Sequence, residues 1–185
     1  DAAAMVSGSV AVLQQVYADS NNNALPTASL IKAILFNTAD EVNSVGIDYK
    51  TGFGLLNAYQ AVKALQQKEY DGSSLQQGQQ WTRNINVPAN AAQIKVTLSW
   101  TDSSSSLNNS KAIVNDLDLE LIRIGDGTIF KPWVLSTAAH IDSLVKLPIR
   151  KRDSLNTAEQ ISVSLPNAGA YQIKVFGTSI TTTSQ

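Results

Sequence analysis

The sequence predicts an α+β protein, three helices followed by an antiparallel β-sandwich. Two observations carry this expectation. Up to about residue 67 apolar residues recur at helical spacing, and beyond about residue 70 they alternate with a period of two. The change of period divides the chain into a helical part, residues 1–68, and a β part, residues 69–185.

The first helix is expected over Ala2 to Tyr17, which is rich in Ala, Val, Leu and Gln, lacks proline and ends in the turn-forming run DSNNNALP. The twelve residues after Asp1 carry no charge, so this helix has no polar face of the kind a surface helix shows. It reads as a helix built to be enclosed. A second helix follows in PTASLIKAILFNTAD. Pro26 with Thr27 or Ser29 supplies the start, and Leu30, Ile31, Ile34 and Leu35 make the apolar stripe. In GIDYKTGFGLLNAYQAVKALQQ, Gly52 and Gly54 mark a turn before Asn57, and Ala58, Ala61, Val62 and Leu65 form a third stripe.

The strands are read from WTRNINV, QIKVTLSW, DLDLELIRI, EQISVSLP and AYQIKVFGT, separated by PANAA, DSSSSLNNS, GDG and PNAG. Their alternation predicts one buried face each. Between Ile129 and Leu155 the pattern weakens, which places Trp133, His140, Pro148 and the basic run Arg150-Lys151-Arg152 on long connections.

Composition narrows function. Of 185 residues, 43% are hydrophobic and 16% charged, with a net charge of −1, so the chain has neither a disordered composition nor a polybasic surface, and nucleic acid is not an expected partner. No apolar run approaches the ~20 residues that span a bilayer, and the first segment lacks the basic start and cleavage site of a signal peptide. Zero cysteines exclude a disulfide framework, a thiolate metal site and a cysteine nucleophile.

Three groups of residues could carry chemistry. His140, the single histidine, lies in LSTAAHIDS with no nucleophile motif and no metal-ligand spacing around it, and reads as a loop residue. A self-contained serine hydrolase needs a base and a nucleophile in reach, so no catalytic residue is assigned in this chain. In VNDLDLEL, Asp116, Asp118 and Glu120 share one face of a strand, with Val114, Leu117, Leu119 and Leu121 on the other, which is the pattern of a half-buried strand with a solvated acidic side. The functional reading is a calcium site in which Asp102 of the WTD turn converges with Asn115 and Asp116 as oxygen ligands. Trp81, Trp100, Trp133 and Tyr171 could stack on a sugar ring, but core packing is the expected fate of Trp100 and Tyr171.

The opening stretch resembles the segment that follows the catalytic serine of subtilisin-like serine peptidases, G-T-S-x-A-x-P-x-V-x-G. Asp1 takes the variable place after the serine, Ala2 the alanine, Val6 the valine and Gly8 the glycine, while Ala4 replaces the usual proline and Met5 the frequent histidine. TASLIKAILFNTAD resembles the next helix of the family, with Asn37, Thr38 and Ala39 in place, and GFGLLNAYQAV resembles its closing signature through Gly52, Gly54, Asn57, Ala58, Ala61 and Val62. VTLSWTD, VNDLDLEL, SLNTAEQISV and NAGAYQIKV resemble the β-sandwich or jelly-roll domain appended to the catalytic domain in a branch of secreted bacterial subtilases, which binds calcium in some members.

The resemblance implies a carboxy-terminal part of a secreted or cell-surface endopeptidase whose serine would precede Asp1 and whose aspartate, histidine and oxyanion asparagine lie elsewhere. Its expected partners are the remainder of the catalytic domain and, in the parent, protein or peptide substrates. Cut off from that remainder, the uncharged helix is expected to expose apolar surface and favour self-association. The rival reading is a non-catalytic β-sandwich module for glycan or peptide.

Overall fold

The computed structural model describes residues 2–42, 45–107, 109 and 111–181. Asp1 of the opening stretch, and Asn108 and Ser110 of the expected loop DSSSSLNNS, lie outside the described residues. The α+β class is borne out: three helices, α1 (Ala2–Ser20), α2 (Ala28–Thr38) and α3 (Ala58–Gln66), precede antiparallel sheets.

Local chemistry fixes the helix starts. Thr27 caps α2, its hydroxyl accepting the Leu30 N–H at 3.2 Å, and Asn57 caps α3 by accepting Gln60 N–H at 3.0 Å. Leu13, Ile31, Ile34, Ala61, Ala64 and Leu65 make a small helical core, to which the expected stripes of α2 and α3 both contribute. Helix α1 joins it through one side of its second half. Leu13 is its one buried residue among those described, and Ala2 to Gly8 are exposed, Met5 at 68%.

The family-like glycines and asparagine act together as a clasp between α2 and α3. Asp40 and Leu55 exchange backbone hydrogen bonds of 2.9 and 2.8 Å, and Asn57 Nδ2 donates to Asp40 Oδ2 at 2.9 Å. Gly54 makes the approach feasible. Its φ is +116°, and a β-carbon there would overlap the Asp40 carbonyl.

The β part contains β1 (Gln80–Val87), β2 (Gln93–Ser99), β3 (Asp116–Arg123), β4 (Thr128–Phe130), β5 (Trp133–Val134), β6 (Ile149–Arg150), β7 (Ala158–Ser164) and β8 (Gly169–Ser179). One sheet has the order β1-β8-β3-β4, a second is the β2-β7 pair, and β5 pairs with β6, all antiparallel. Leu117, Leu119, Leu121, Tyr171 and Val175 from the first sheet meet Ile94 and Ile161 from the second in one core, a sandwich in which the two layers differ in width.

Two expectations are corrected. β7 is buried on both faces from Ala158 to Ser162, not on one, because α2 lies on the side of the β2-β7 pair away from the sandwich. There Gln160 Nε2 donates to Phe36 O at 3.0 Å, Thr97 Oγ1 donates to Asn37 Oδ1 at 2.9 Å, and Lys95 Nζ donates to Ala39 O at 2.9 Å. The stretch from Ile129 to Leu155 is not merely connection. Trp133 and Arg150 are paired residues of β5 and β6, with the guanidinium stacked 3.9 Å above the indole and donating to Ser162 O.

Two glycine substitutions separate clasp from helix. Gly54→Ala is expected to lower unfolding free energy by more than about 2 kcal/mol, since both its backbone angle and the Asp40 carbonyl oppose a side chain. Gly8→Ala, where an added methyl meets nothing within 4 Å, is expected to raise it by roughly 0.5–1 kcal/mol through helix propensity. Urea denaturation of the two variants checks both.

Candidate functional site

The residues singled out for calcium gather at the end of the sandwich where the segment after β2 meets the start of β3. Asp102 and Asn115 converge as the sequence suggested. The Asp102 carboxylate accepts four N–H groups: Ser103 N (2.9 Å), Val114 N (2.7 Å), Asn115 N (3.0 Å) and Asn115 Nδ2 (3.0 Å). Asn115 is fully buried; its carbonyl accepts Trp100 Nε1 at 2.9 Å and its Oδ1 accepts Thr181 N at 3.0 Å. The WTD turn, the start of β3 and the chain beyond β8 are thereby tied to one asparagine.

Asp116 turns elsewhere. Its Oδ2 takes Arg152 Nη2 at 2.5 Å, while Arg152 Nε donates to Asp118 Oδ1 at 2.8 Å and Thr178 Oγ1 donates to Asp118 Oδ2. The expected solvated face of β3 is therefore partly roofed by an arginine from the basic run. Burial pushes the Asp116 carboxyl above the usual carboxylate range and Asp118 adds to this, with Arg152 opposing. As arranged, the Asp102 oxygens accept N–H donors and the Arg152 guanidinium bridges Asp116 Oδ2 and Asp118 Oδ1, while Asp116 Oδ1 is buried with no hydrogen-bond partner among the described residues. Asp102 and Asn115 form a hydrogen-bonded clasp, and Asp116 pairs with Arg152.

Two further acids, Asp153 and Glu159, belong to this cluster and were missed in the sequence. Asp153, 3% exposed, accepts Leu155 N at 2.9 Å and Asn156 Nδ2 at 2.7 Å, shaping the turn that leads into β7. Glu159, 1% exposed, reaches from β7 across the sandwich, and its Oε2 accepts the Leu119 N–H of β3 at 2.7 Å. β4 pairs with residues 121 to 123 of β3, so Leu119 N–H lies on an edge that no strand covers among the described residues, and the carboxyl takes the place of a strand there. Oε1 is buried with no hydrogen-bond partner among the described residues. Burial, reinforced by Asp118, Asp153 and Asp116, pushes the Glu159 pKa up to about 9, so the group is held protonated near neutrality. The legible signal was a glutamate and a glutamine side by side in a strand whose other residues are apolar or small.

The remaining candidates are structural. His140 is exposed on a 3₁₀ turn, Ile141–Val145, where its Nδ1 accepts Asp142 N at 3.3 Å. Trp100 and Tyr171 are core residues, and Trp133 donates to Ser162 Oγ at 2.9 Å. Trp81 is half-buried and borders a cavity of about 690 Å³ between α2 and the four-stranded sheet.

A relative carries a protease name. The chain is 28% identical to the serine protease/ABC transporter B family protein tagA of Dictyostelium discoideum over 207 aligned residues, covering 97% of this chain and 11% of that protein. The chain thus spans about a tenth of the length of the relative it matches. No family profile matches the sequence. The match runs through both the helical and the β part, which relates the whole described fold, and not the sandwich alone, to a protein named as a protease. No helix among the described residues is long and apolar enough to cross a membrane.

Asp102→Ala is expected to cost at least about 2 kcal/mol, because it strands several N–H groups in one turn; thermal unfolding measures it. Glu159 makes stability depend on pH. Its folded pKa of about 9 lies above the ordinary 4.5, so the folded state holds a proton the unfolded chain releases. Stability from this group is complete below pH 4.5 and is lost as pH rises toward 9, by up to about 1.4 kcal/mol per pH unit. Glu159→Gln keeps an acceptor for Leu119 N–H and is expected to flatten that slope and raise the unfolding temperature at pH 8. Denaturation of both proteins at pH 6 and 8 checks it, and equal slopes would contradict it.

Proposed function

We propose that this chain is part of a secreted subtilisin-like serine endopeptidase, residues 1–68 completing the catalytic domain and residues 69–185 forming an accessory β-sandwich. The observation that carries the reading is α1. It is a nineteen-residue helix with no acidic residue in its first turn and no basic residue in its last, and Leu13 is its one buried side chain among those described. Small and apolar residues on every side suit a helix enclosed by further layers, and they leave this one bare. The relative's protease name and the two downstream motifs point the same way.

In the proposed enzyme the chain supplies position rather than reacting groups. The free N–H groups and positive end of α1 would face the reacting centre, where the serine that precedes Asp1 attacks the peptide carbonyl and a histidine outside this chain takes its proton. Asn37 and Ala39 then have a second task beside ending α2. They receive Thr97 and Lys95 of β2 and so fasten the sandwich to the helices. Asp40, Gly54 and Asn57 hold α3 against the end of α2. The sandwich stabilises the catalytic part and borders the approach of substrate.

Labelling of the complete gene product with a fluorophosphonate probe, followed by peptide mapping, tests the reading. The expected result is a single labelled serine immediately before Asp1 and casein hydrolysis that the probe abolishes. A different residue at that position, or a folded product that neither labels nor hydrolyses casein, would overturn it.

A further inference from the structure

The second layer of the sandwich is narrower than the first, and the space left over has the form of a strand. β2 pairs with β7 along one edge. Trp100 N donates to Thr157 O, and Leu165 N donates to Ala92 O, so residues 92, 94, 96, 98 and 100 turn their backbone groups toward β7. By alternation Lys95, Thr97, Ser99 and Thr101 turn theirs to the opposite edge, where no strand pairs among the described residues. A cavity of about 690 Å³ runs along that edge: it touches every residue from Lys95 to Thr101. Side chains in a strand alternate between faces, so a space that meets seven consecutive residues must lie beside the strand, in the plane of its sheet.

The walls continue the two neighbouring layers. On one side stand Leu30 and Ala33 of α2; on the other, Trp81 of β1 with Ile173 and Val175 of β8. Trp81 and Ile173 are partly buried at the margin of the core, and the connection from Glu69 to Leu75 also borders the space. The two cations at the rim are already matched, Arg83 by Asp71 at 3.8 Å and Lys95 by Glu41 at 3.9 Å. The Ser99 hydroxyl is buried with no hydrogen-bond partner among the described residues.

We propose that this groove receives an extended segment of another polypeptide, which adds to the free edge of β2 as a third strand of the β2-β7 sheet. A row of outward N–H and C=O groups at every second residue is matched by a peptide backbone and by no compact ligand. The pairing of Arg83 and Lys95 with their own carboxylates removes the pull on a phosphate or an acidic group, and the wall of Trp81, Ile173 and Val175 calls for apolar side chains on one face of the incoming strand. Its other face meets the α2 side, where small or hydroxyl side chains fit beside Ala33. The occupant is thus an extended peptide of alternating apolar and small polar residues, uncharged at its centre. The inference stands whether or not the chain belongs to a peptidase.

The probe is an acetylated, amidated peptide of alternating valine and threonine with a lysine at each end, titrated into this 185-residue chain. Two further peptides are N-methylated on one or the other alternate set of nitrogens. Saturable binding is expected, with slowed amide exchange at Thr97 and Ser99. One N-methylated peptide is expected to bind about tenfold or more weakly than the parent and the other about as well, since only one set of nitrogens faces β2. Ser99→Pro deletes an N–H that points away from β7, which an edge strand tolerates, and is expected to weaken binding by about tenfold with an unchanged unfolding temperature. No saturation up to about 1 mM peptide, or equal binding by all three peptides, would overturn the proposal. The peptide comparison uses the unaltered protein and decides the matter even where the proline variant does not fold.

Discussion

The β2-β7 pair must be satisfied on both faces, and most of the molecule is arranged around that constraint. Toward the sandwich, Ile94 and Ile161 join the core while Glu159 reaches Leu119 N–H at 2.7 Å. Toward the helices, Gln160, Thr97 and Lys95 meet the last turn of α2 and the residue after it. A strand carrying Glu, Gln and Ser in fully buried positions is tolerable only where each finds a partner, so these polar groups fix where α2 sits and how the sheets face each other. The helical and β parts meet through specific hydrogen bonds more than through a greasy contact. That is also why the family-like residues Asn37 and Ala39 lie at this junction.

The same arrangement accounts for what is left open. α2 covers one side of β2-β7, and α3 and part of α1 pack with α2 in the helical core. α1, without a charged side chain from Ala2 to Ala18, then projects most of its surface outward. On the sheet side, two strands oppose four. The bare helix and the unfilled strand position are separate features, one without a charged side chain through most of its length and one lined by backbone polar groups, and they ask for different partners.

Much of this was legible in the sequence. The change from helical to alternating period located all three helices and the five long strands, and Thr27, Asn57 and Gly54 read correctly as punctuation because capping and positive φ are local requirements. The convergence of Asp102 with Asn115 was also readable, as two polar motifs flanking one loop. What they do together was not. Whether a carboxylate meets a cation or four N–H groups depends on where the backbone of residues 103 and 114 to 115 points, which no spacing encodes. Glu159 was illegible for a related reason. Alternation puts it on the core face with Ile161 and Val163, where an acid is out of place, and only the Leu119 N–H of the facing sheet gives its carboxyl a partner there.

On the proposed reading α1 is shaped for enclosure by further layers, while α2 and the β2-β7 pair form the cooperative core of this chain. Native-state hydrogen exchange measures this directly. Amides of β7 and of the second half of α2 are expected to exchange only with global unfolding, whereas those of the exposed first half of α1 exchange orders of magnitude faster. Protection throughout α1 equal to that of β7, in a monomeric sample of this chain, would contradict it.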